Sequence, residues 1–434
     1  MFDALDLHDL FWDEVAQRRE TGYVVSAAVA AAADVDFTDR AAAGELLDAL
    51  QDLPRDPGWA YEEPDALADI EAALPTPARP GSASAVEDKI HAAWLGRIAG
   101  CNLGKPVEWG SHWTPAHLRE YLELADAYPL LDYVPLLDPM PERFVMNPSF
   151  PNSTRGNIDG SARDDDIDYP ILGLHLLEKH GKALGPEHVA SAWLQLLPFE
   201  QVYTAERVAY RNLVHGLAPT EAAAYRNPYR EWIGAQIRGD IHGWVHPGDP
   251  RSAALQAYQD ACLSHTGNGI YGEMWAAALV AAAFTAGTAK EAIESSLEHV
   301  PARSRLAEVV RDVLAQHALG GTWDDALEHI RARYGHYEWI HTLNNAALVV
   351  AALLWGEGDY ARTVGLTVQG GWDTDSNAAT TGSVAGVLLG TAGLPDRFVE
   401  PLHDRTRSAL FGFDNSRISD LAARTVRLAV DGLR

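Results

Sequence analysis

Cysteine is scarce. The 434-residue chain has only two, Cys101 and Cys262, too few for a disulfide framework or a thiolate zinc site, so reduced cytoplasmic thiols are expected. Basic residues are few as well: 34 Lys+Arg against 61 Asp+Glu leave a formal net charge of −27. Such an excess repels a phosphate backbone, which argues against long nucleic acids and anionic membrane surfaces as partners. Long hydrophobic runs are missing; the longest, Met274 to Phe284, falls far short of the roughly 20 residues needed to span a bilayer. The opening residues show no basic region followed by an apolar stretch, so no secretory leader is expected, and the expected location is cytoplasmic. Alternating β-branched runs bounded by turn signals are nearly absent, which leaves little material for sheets.

What is present reads as a globular helical protein, with 47% hydrophobic and 22% charged residues. Residues 1–74 read as an acidic helical extension, with an alanine-rich run from Ala27 to Ala33 and an amphipathic stretch from Pro64 to Leu74. The Pro/Gly/Ser-rich residues 75–85 read as a linker. Residues 86–434 then read as one large domain. Within it, apolar positions recur at helical spacing over His188–Leu197, Met274–Ala286, Ile293–Leu314, Asn345–Leu354 and Ala378–Leu389, so the expected class is all-α and multi-helix. The segment holding Pro135, Pro139, Pro141, Pro148 and Pro151 cannot form regular structure, and a loop of that length is uncommon unless it covers a site.

Two glycine stripes stand out. Gly96, Gly100 and Gly104, with Ala92 before them, are spaced by four, and so are Ala378, Gly382, Gly386 and Gly390. Each row lies on one helix face and lets a neighbouring helix approach closely. Glycine costs about 1 kcal/mol relative to alanine inside a helix, so close packing is the expected compensation. Each stripe also adjoins carboxylates. Glu108 follows the first, and Asp373 and Asp375 precede the second.

A further acidic run, Asp164-Asp165-Asp166-Ile167-Asp168, opens an amphipathic stretch. Acids at a helix N-terminus are individually favourable, but four so close together repel one another unless a cation is present. The second cluster, Gly371-Trp372-Asp373-Thr374-Asp375-Ser376, offers two carboxylates and a hydroxyl in a turn entering a helix. Hard oxygen donors of this kind suit Mg²⁺, Mn²⁺ or Ca²⁺.

Four segments in order carry a family resemblance: Gly100 to Glu108 (Gly-Cys-Asn-Leu-Gly-Lys-Pro-Val-Glu), Asp164-Asp165-Asp166, Ser264-His265-Thr266, and Gly371 to Ser376. Together they resemble the ADP-ribosylglycohydrolase family, which includes the dinitrogenase-reductase-activating glycohydrolase and the ADP-ribosyl-acceptor hydrolases. The resemblance implies an all-α domain with two Mg²⁺ ions at its centre. It implies Asp164, Asp165, Asp166, Asp373, Asp375 and Ser376 as metal ligands, and Glu108, Asp165 and Asp166 as the catalytic carboxylates. The implied reaction is hydrolysis of an N- or O-glycosidic bond at the ribose C1 of an ADP-ribosylated protein or a small NAD-derived molecule, with the oligomeric state left open.

Two positions depart from the family pattern. Asp164 stands where a Thr or Ser is usual and adds negative charge, and Trp372 stands where a small residue is usual, giving a wall able to stack on a base or ribose. Further substrate contacts are expected from the glycine-rich segment holding Ser264, His265, Gly267, Asn268, Gly269 and Tyr271, whose amides suit a diphosphate, and from Asn152 on the proline-broken loop. Two rival readings remain at this point. One is a non-catalytic ADP-ribose-binding module. The other is an all-α isoprenoid synthase using Asp164 to Asp168, disfavoured because no acid follows Asp375 one turn on.

Overall fold

The computed structural model describes residues 6–76 and 79–433. The described residues form twenty-one α-helices, several 3₁₀ turns and one two-residue antiparallel pair, β1 (Arg405–Thr406) with β2 (Ser416–Arg417). The all-α expectation holds.

The extension contributes α1 (Leu7–Glu20), α2 (Ser26–Ala32), α3 (Arg40–Ala49) and α4 (Leu67–Ala73). After the linker come α5 (Val86–Gly104) and α6 (Pro115–Leu124), then the long irregular segment, then α7 (Asp165–His180), α8 (Pro186–Leu196), α9 (Thr204–Val214) and α10 (Pro219–Ala222). A compact group follows: α11 (Asp240–Trp244), α12 (Pro250–Ala261) and α13 (Asn268–Ala283). The remainder is α14 (Ala289–Ser296), α15 (Arg305–Ala318), α16 (Trp323–Tyr334), α17 (Thr342–Trp355), α18 (Tyr360–Gln369), α19 (Thr374–Leu389), α20 (Asp396–Val399) and α21 (Ile418–Asp431).

Helices α13 and α17 are predominantly apolar and every residue of each is buried, so they form the centre around which the amphipathic helices pack. The periodic run from Ile293 to Leu314 is not one helix. Pro301 cannot donate a helical hydrogen bond, and the chain restarts at α15 with the Ser304 hydroxyl accepting from the Ala307 amide at 3.1 Å. Among the described residues no helix is long and apolar enough to cross a membrane.

The extension shares the core of the larger domain. Leu10, Phe11, Leu47, Leu50 and Ile70 belong to the same continuous apolar cluster as Trp275 and Leu348. Glu14, fully buried on α1, accepts from Arg230 at 2.6 Å and Arg18 at 2.7 Å. Glu63 pairs with Arg305 at 2.9 Å, and Asp65 accepts from the Gly267 amide at 2.6 Å. Separating the two parts would take Glu14 from Arg230 and Glu63 from Arg305, which would keep Glu231 at 2.7 Å, so the loss falls chiefly on Arg230.

Candidate metal centre and active site

The two glycine stripes face each other. A methyl group at Gly96, Gly100 or Gly104 would collide with the backbone carbonyl oxygens of Gly382, Ala378 and Thr374, and one at Gly386 with that of Ala92. Gly390 departs from the expected row. It sits past the end of α19 with φ +69°, where glycine is favoured, and faces the Asp88 carboxylate.

This contact brings the C-terminal end of α5 onto the N-terminal end of α19. There the Thr374 hydroxyl donates to the Gly104 carbonyl at 2.9 Å. As a result Glu108, just beyond α5, lies with Asp373 and Asp375 so that one oxygen from each falls within 4.8 Å of the others.

The start of α7 closes the third side. Asp164 caps this helix and accepts from the Asp166 amide at 2.9 Å, and Asp166 accepts from the Ser376 hydroxyl at 3.0 Å. Oxygens of Asp164, Asp166 and Asp375 lie with the Cys101 sulfur within 4.8 Å of one another. The two acidic motifs, 209 residues apart from Asp164 to Asp373 (373 − 164), therefore share one pocket. Asp164 and Asp166 are each 2% exposed, whereas Asp165 is half-buried and is the member of the triplet that solvent reaches most easily.

Several supports were not foreseen. Pro170 lies inside α7 and has no amide to offer the Asp166 carbonyl one turn earlier. The fully buried Arg97 of α5 fills that place, donating from Nε at 2.9 Å and Nη2 at 2.8 Å, while its Nη1 holds Asp240 at 2.7 Å. Lys105 donates to Asp164, so the extra negative charge at that position has its own cation. Asn147, from the proline-broken loop, donates to Glu108 Oε2 at 3.0 Å, which shows the loop covering the site. The Asn345 side-chain oxygen accepts from Asn377 at 2.6 Å and from the Asp373 amide at 3.3 Å, fixing the turn. Pro170 and the proline-broken segment that carries Asn147 were the local signals for these.

Burial pushes Glu108, Asp166, Asp373 and Asp375 well above the ordinary carboxylate range, and neighbouring carboxylates push in the same direction. Burial and the charge of Asp164 raise Asp165 to about 6. Asp164 moves the other way: burial would raise it, but the Lys105 ammonium outweighs burial and holds it down. Six carboxylates and a hydroxyl, hard donors that repel one another, match Mg²⁺, Mn²⁺ or Ca²⁺.

Trp372 is 3% exposed with φ +62°, a strained value for an aromatic residue, and Arg331 covers its ring at 4.0 Å; that face is not free for a base. Ser264 and His265 are buried against each other at 2.8 Å, and burial holds the imidazole well below its ordinary range. The Gly267 and Asn268 amides are taken by carboxylates of the chain itself, Asp65 at 2.6 Å and Glu231 at 2.9 Å. Gly269 packs against the Arg230 carbonyl, and Tyr271 donates to the Pro64 carbonyl at 2.5 Å. Asn152 is exposed and lines a cavity of about 350 Å³ whose wall, Ser161 and Ala162, leads into Asp164. Asp168, on which the isoprenoid-synthase reading depends, is taken up by Arg163 at 2.8 Å, Ser408 at 2.6 Å and the Ala409 amide at 3.0 Å.

Fold and site together define an all-α protein whose carboxylate centre is assembled where two glycine-faced helices meet a third helix end. The ADP-ribosylglycohydrolase family model matches residues 82–431, and the chain belongs to that family. It is accordingly a glycoside hydrolase acting on ADP-ribosyl compounds. The chain is similar to a solved structure described as an ADP-ribosylglycohydrolase-related protein complex, with 17% identity, a TM-score of 0.45, and coverage of 80% of this chain and 98% of that one. No curated protein sequence matches it.

Proposed function

We propose that the protein hydrolyses the glycosidic bond at the ribose C1 of an ADP-ribosyl substrate and depends on a divalent cation, Mg²⁺ by preference, for doing so. The observation that carries this reading is the convergence of Asp164, Asp166, Asp373, Asp375 and Ser376 on one buried pocket, with the half-buried Glu108 and Asp165 at its edge. Asp164, Asp165, Asp166, Asp373, Asp375 and Ser376 would hold the cation pair. Bound there, the pair supplies Lewis acidity, a water of lowered pKa and an attachment for the ribose hydroxyls.

The chain's own residues supply the rest. Asp165, half-buried, is the carboxylate placed to take a proton from the attacking water as the bond to C1 breaks through an oxocarbenium-like state. Glu108, held by Asn147, borders the same pocket from the solvent side and is assigned to proton transfer at the leaving group. Arg97 sets the position of Asp166 through its backbone oxygen, and the Thr374–Gly104 hydrogen bond sets the two helix ends. The cavity beside Asn152 is of a size for part of a small ligand and is assigned to the substrate beyond the ribose.

A panel of arginine-linked and serine-linked ADP-ribosyl peptides and small ADP-ribosyl glycosides, followed by chromatography of released ADP-ribose, tests this reading. Release from at least one linkage supports it. Tight ADP-ribose binding with no release from any member favours a binding module instead.

A further inference from the structure

A second polar cluster lies in the interior, outside the carboxylate centre. His242 of α11, Asp260 of α12 and Glu273 of α13 each direct one ligand atom into a common space, the three atoms lying within 4.8 Å of one another. His242 and Glu273 are 0% exposed and Asp260 4%. The local sequence explains the convergence: Gly239 and Gly243 have no side chain where the backbone of α13 passes, and Ala253 and Ala257 pack on Ala277 and Ala281. Small residues thus draw three helices tightly around three polar side chains.

The distances do not fit hydrogen bonding. His242 Nε2 lies 3.5 Å from Glu273 Oε1 and 3.9 Å from Asp260 Oδ2, too long for a hydrogen bond of the usual 2.7–3.2 Å. Both ring nitrogens of His242 and both oxygens of Glu273 lack a hydrogen-bond partner, although such atoms are nearly always paired when buried. The 3.5 Å between His242 and Glu273 suits ligands around an ion, and the 3.9 Å between His242 and Asp260 needs a closure of a few tenths of an ångström. Bonds of about 2.0–2.2 Å arranged tetrahedrally place neighbouring ligand atoms roughly 3.3–3.6 Å apart.

The remaining oxygens point to the same conclusion. Arg238 faces Asp260 Oδ1 at 3.1 Å and Glu273 Oε2 at 3.4 Å, the oxygens turned away from the imidazole, while its Nη1 holds Glu206 at 2.6 Å. The guanidinium therefore orients both carboxylates from behind and leaves one oxygen of each facing His242. With the imidazole counted as the neutral ligand a metal requires, three carboxylates against one guanidinium leave two negative charges uncompensated, which is the charge of one dication.

We propose that His242 Nε2, Asp260 Oδ2 and Glu273 Oε1 bind a structural transition-metal dication, Zn²⁺ by preference, with water as the fourth ligand. Nitrogen with two carboxylates suits zinc or cobalt better than magnesium. Enclosed on all sides, the ion enters as the chain folds, and it ties α11, α12 and α13 together beneath the catalytic centre.

The test uses the full chain, unfolded with chelator, refolded with Co²⁺ and then gel-filtered in excess Mg²⁺, with metal content measured by mass spectrometry. The expected result is one retained Co²⁺ per chain in the unsubstituted protein and in Asp375→Ala, and loss of that equivalent in His242→Gln and in Glu273→Gln. Circular dichroism confirms that each variant is folded, and either variant alone carries the comparison. Should neither fold, X-ray absorption of the unsubstituted protein decides, with one imidazole and oxygen ligands expected around the cobalt. No retained cobalt, retention unchanged in both folded variants, loss in Asp375→Ala, or an absorption spectrum without imidazole would each overturn the proposal.

Discussion

Arg97 donates two hydrogen bonds to the backbone oxygen of Asp166, at 2.9 and 2.8 Å, in the place that Pro170 leaves without an amide. A side chain from α5 thereby completes a break inside α7, and its Nη2 also lies 3.3 Å from Asp166 Oδ1, next to the carboxylate centre. Arg97→Met should destabilise the protein by about 3–5 kcal/mol, because Asp240 loses its buried cation and the Asp166 oxygen is left bare. Pro170→Ala in that background restores an amide and should recover part of the loss. Urea denaturation of the single and double variants checks both, and an equal loss in the two would show that the proline is not what makes Arg97 necessary.

Gly100 faces the Ala378 carbonyl with no room for a methyl group. Gly100→Ala should cost about 1–3 kcal/mol through overpacking and should also weaken divalent-cation binding, since α5 and α19 carry opposite sides of the pocket. Thermal unfolding with and without Mg²⁺ measures both effects. A variant that loses stability but keeps its full Mg²⁺-induced rise in Tm would show that the helix contact does not set the pocket.

Much of the site was legible because it is written locally. Glycine at every fourth position marks a helix face, and acids at the starts of α7 and α19 mark caps that a cation would relieve. Lys105 and Asn345 were not legible, whereas Asn147 was legible only as a residue of the proline-broken loop expected at the site. Each acts across the fold, and nothing beside it in the chain marks the partner. The amides of Gly267 and Asn268 read as open to a diphosphate, yet they are satisfied by Asp65 and Glu231, carboxylates 202 and 37 residues away. Trp372 suggested a stacking wall, but Arg331 from α16 already covers it. The break between α14 and α15 was visible in Pro301, where apolar periodicity alone carried the reading through.

The Asp165 contribution to metal-free stability should fall as pH rises, while His299 and His341, held by burial at about 4 and about 3, contribute with the opposite sign. Asp165 moves from an ordinary 3.8 to about 6, so the folded state binds its proton more tightly than the unfolded chain. That contribution is fully present below pH 3.8 and is lost as the pH passes through about 6. Cation binding requires the deprotonated carboxylates, so the stabilisation by Mg²⁺ should grow over the same window. Glu20, raised to about 8 mainly by burial and also by Glu231, has the same sign and leaves a residual slope that Mg²⁺ does not remove. Tm against pH in chelator and in Mg²⁺, compared between the parent and Asp165→Asn, checks this; a parent-minus-variant difference in chelator that grows from pH 4 to 6 would contradict it.

Asp375→Asn should behave differently from ordinary substitutions of buried residues. Asp375 is 3% exposed, and burial with repulsion from Glu108, Asp164 and Asp166 disfavours its charge. In chelator the variant should be as stable as the parent or more so, by about 1 kcal/mol. In Mg²⁺ it should lose the cation-dependent rise in Tm. Equal Mg²⁺ stabilisation in both proteins would remove Asp375 from the ligand set.

The most direct test of the central claim is the rate of ADP-ribose release from an ADP-ribosylated peptide by one preparation taken through chelation and Mg²⁺ restoration, alongside Asp375→Ala. The expected result is turnover that falls by at least about 100-fold on chelation, returns with Mg²⁺, and stays absent in the variant at every Mg²⁺ concentration. Turnover that survives chelation, or that Asp375→Ala retains, would contradict a hydrolase built on this carboxylate centre.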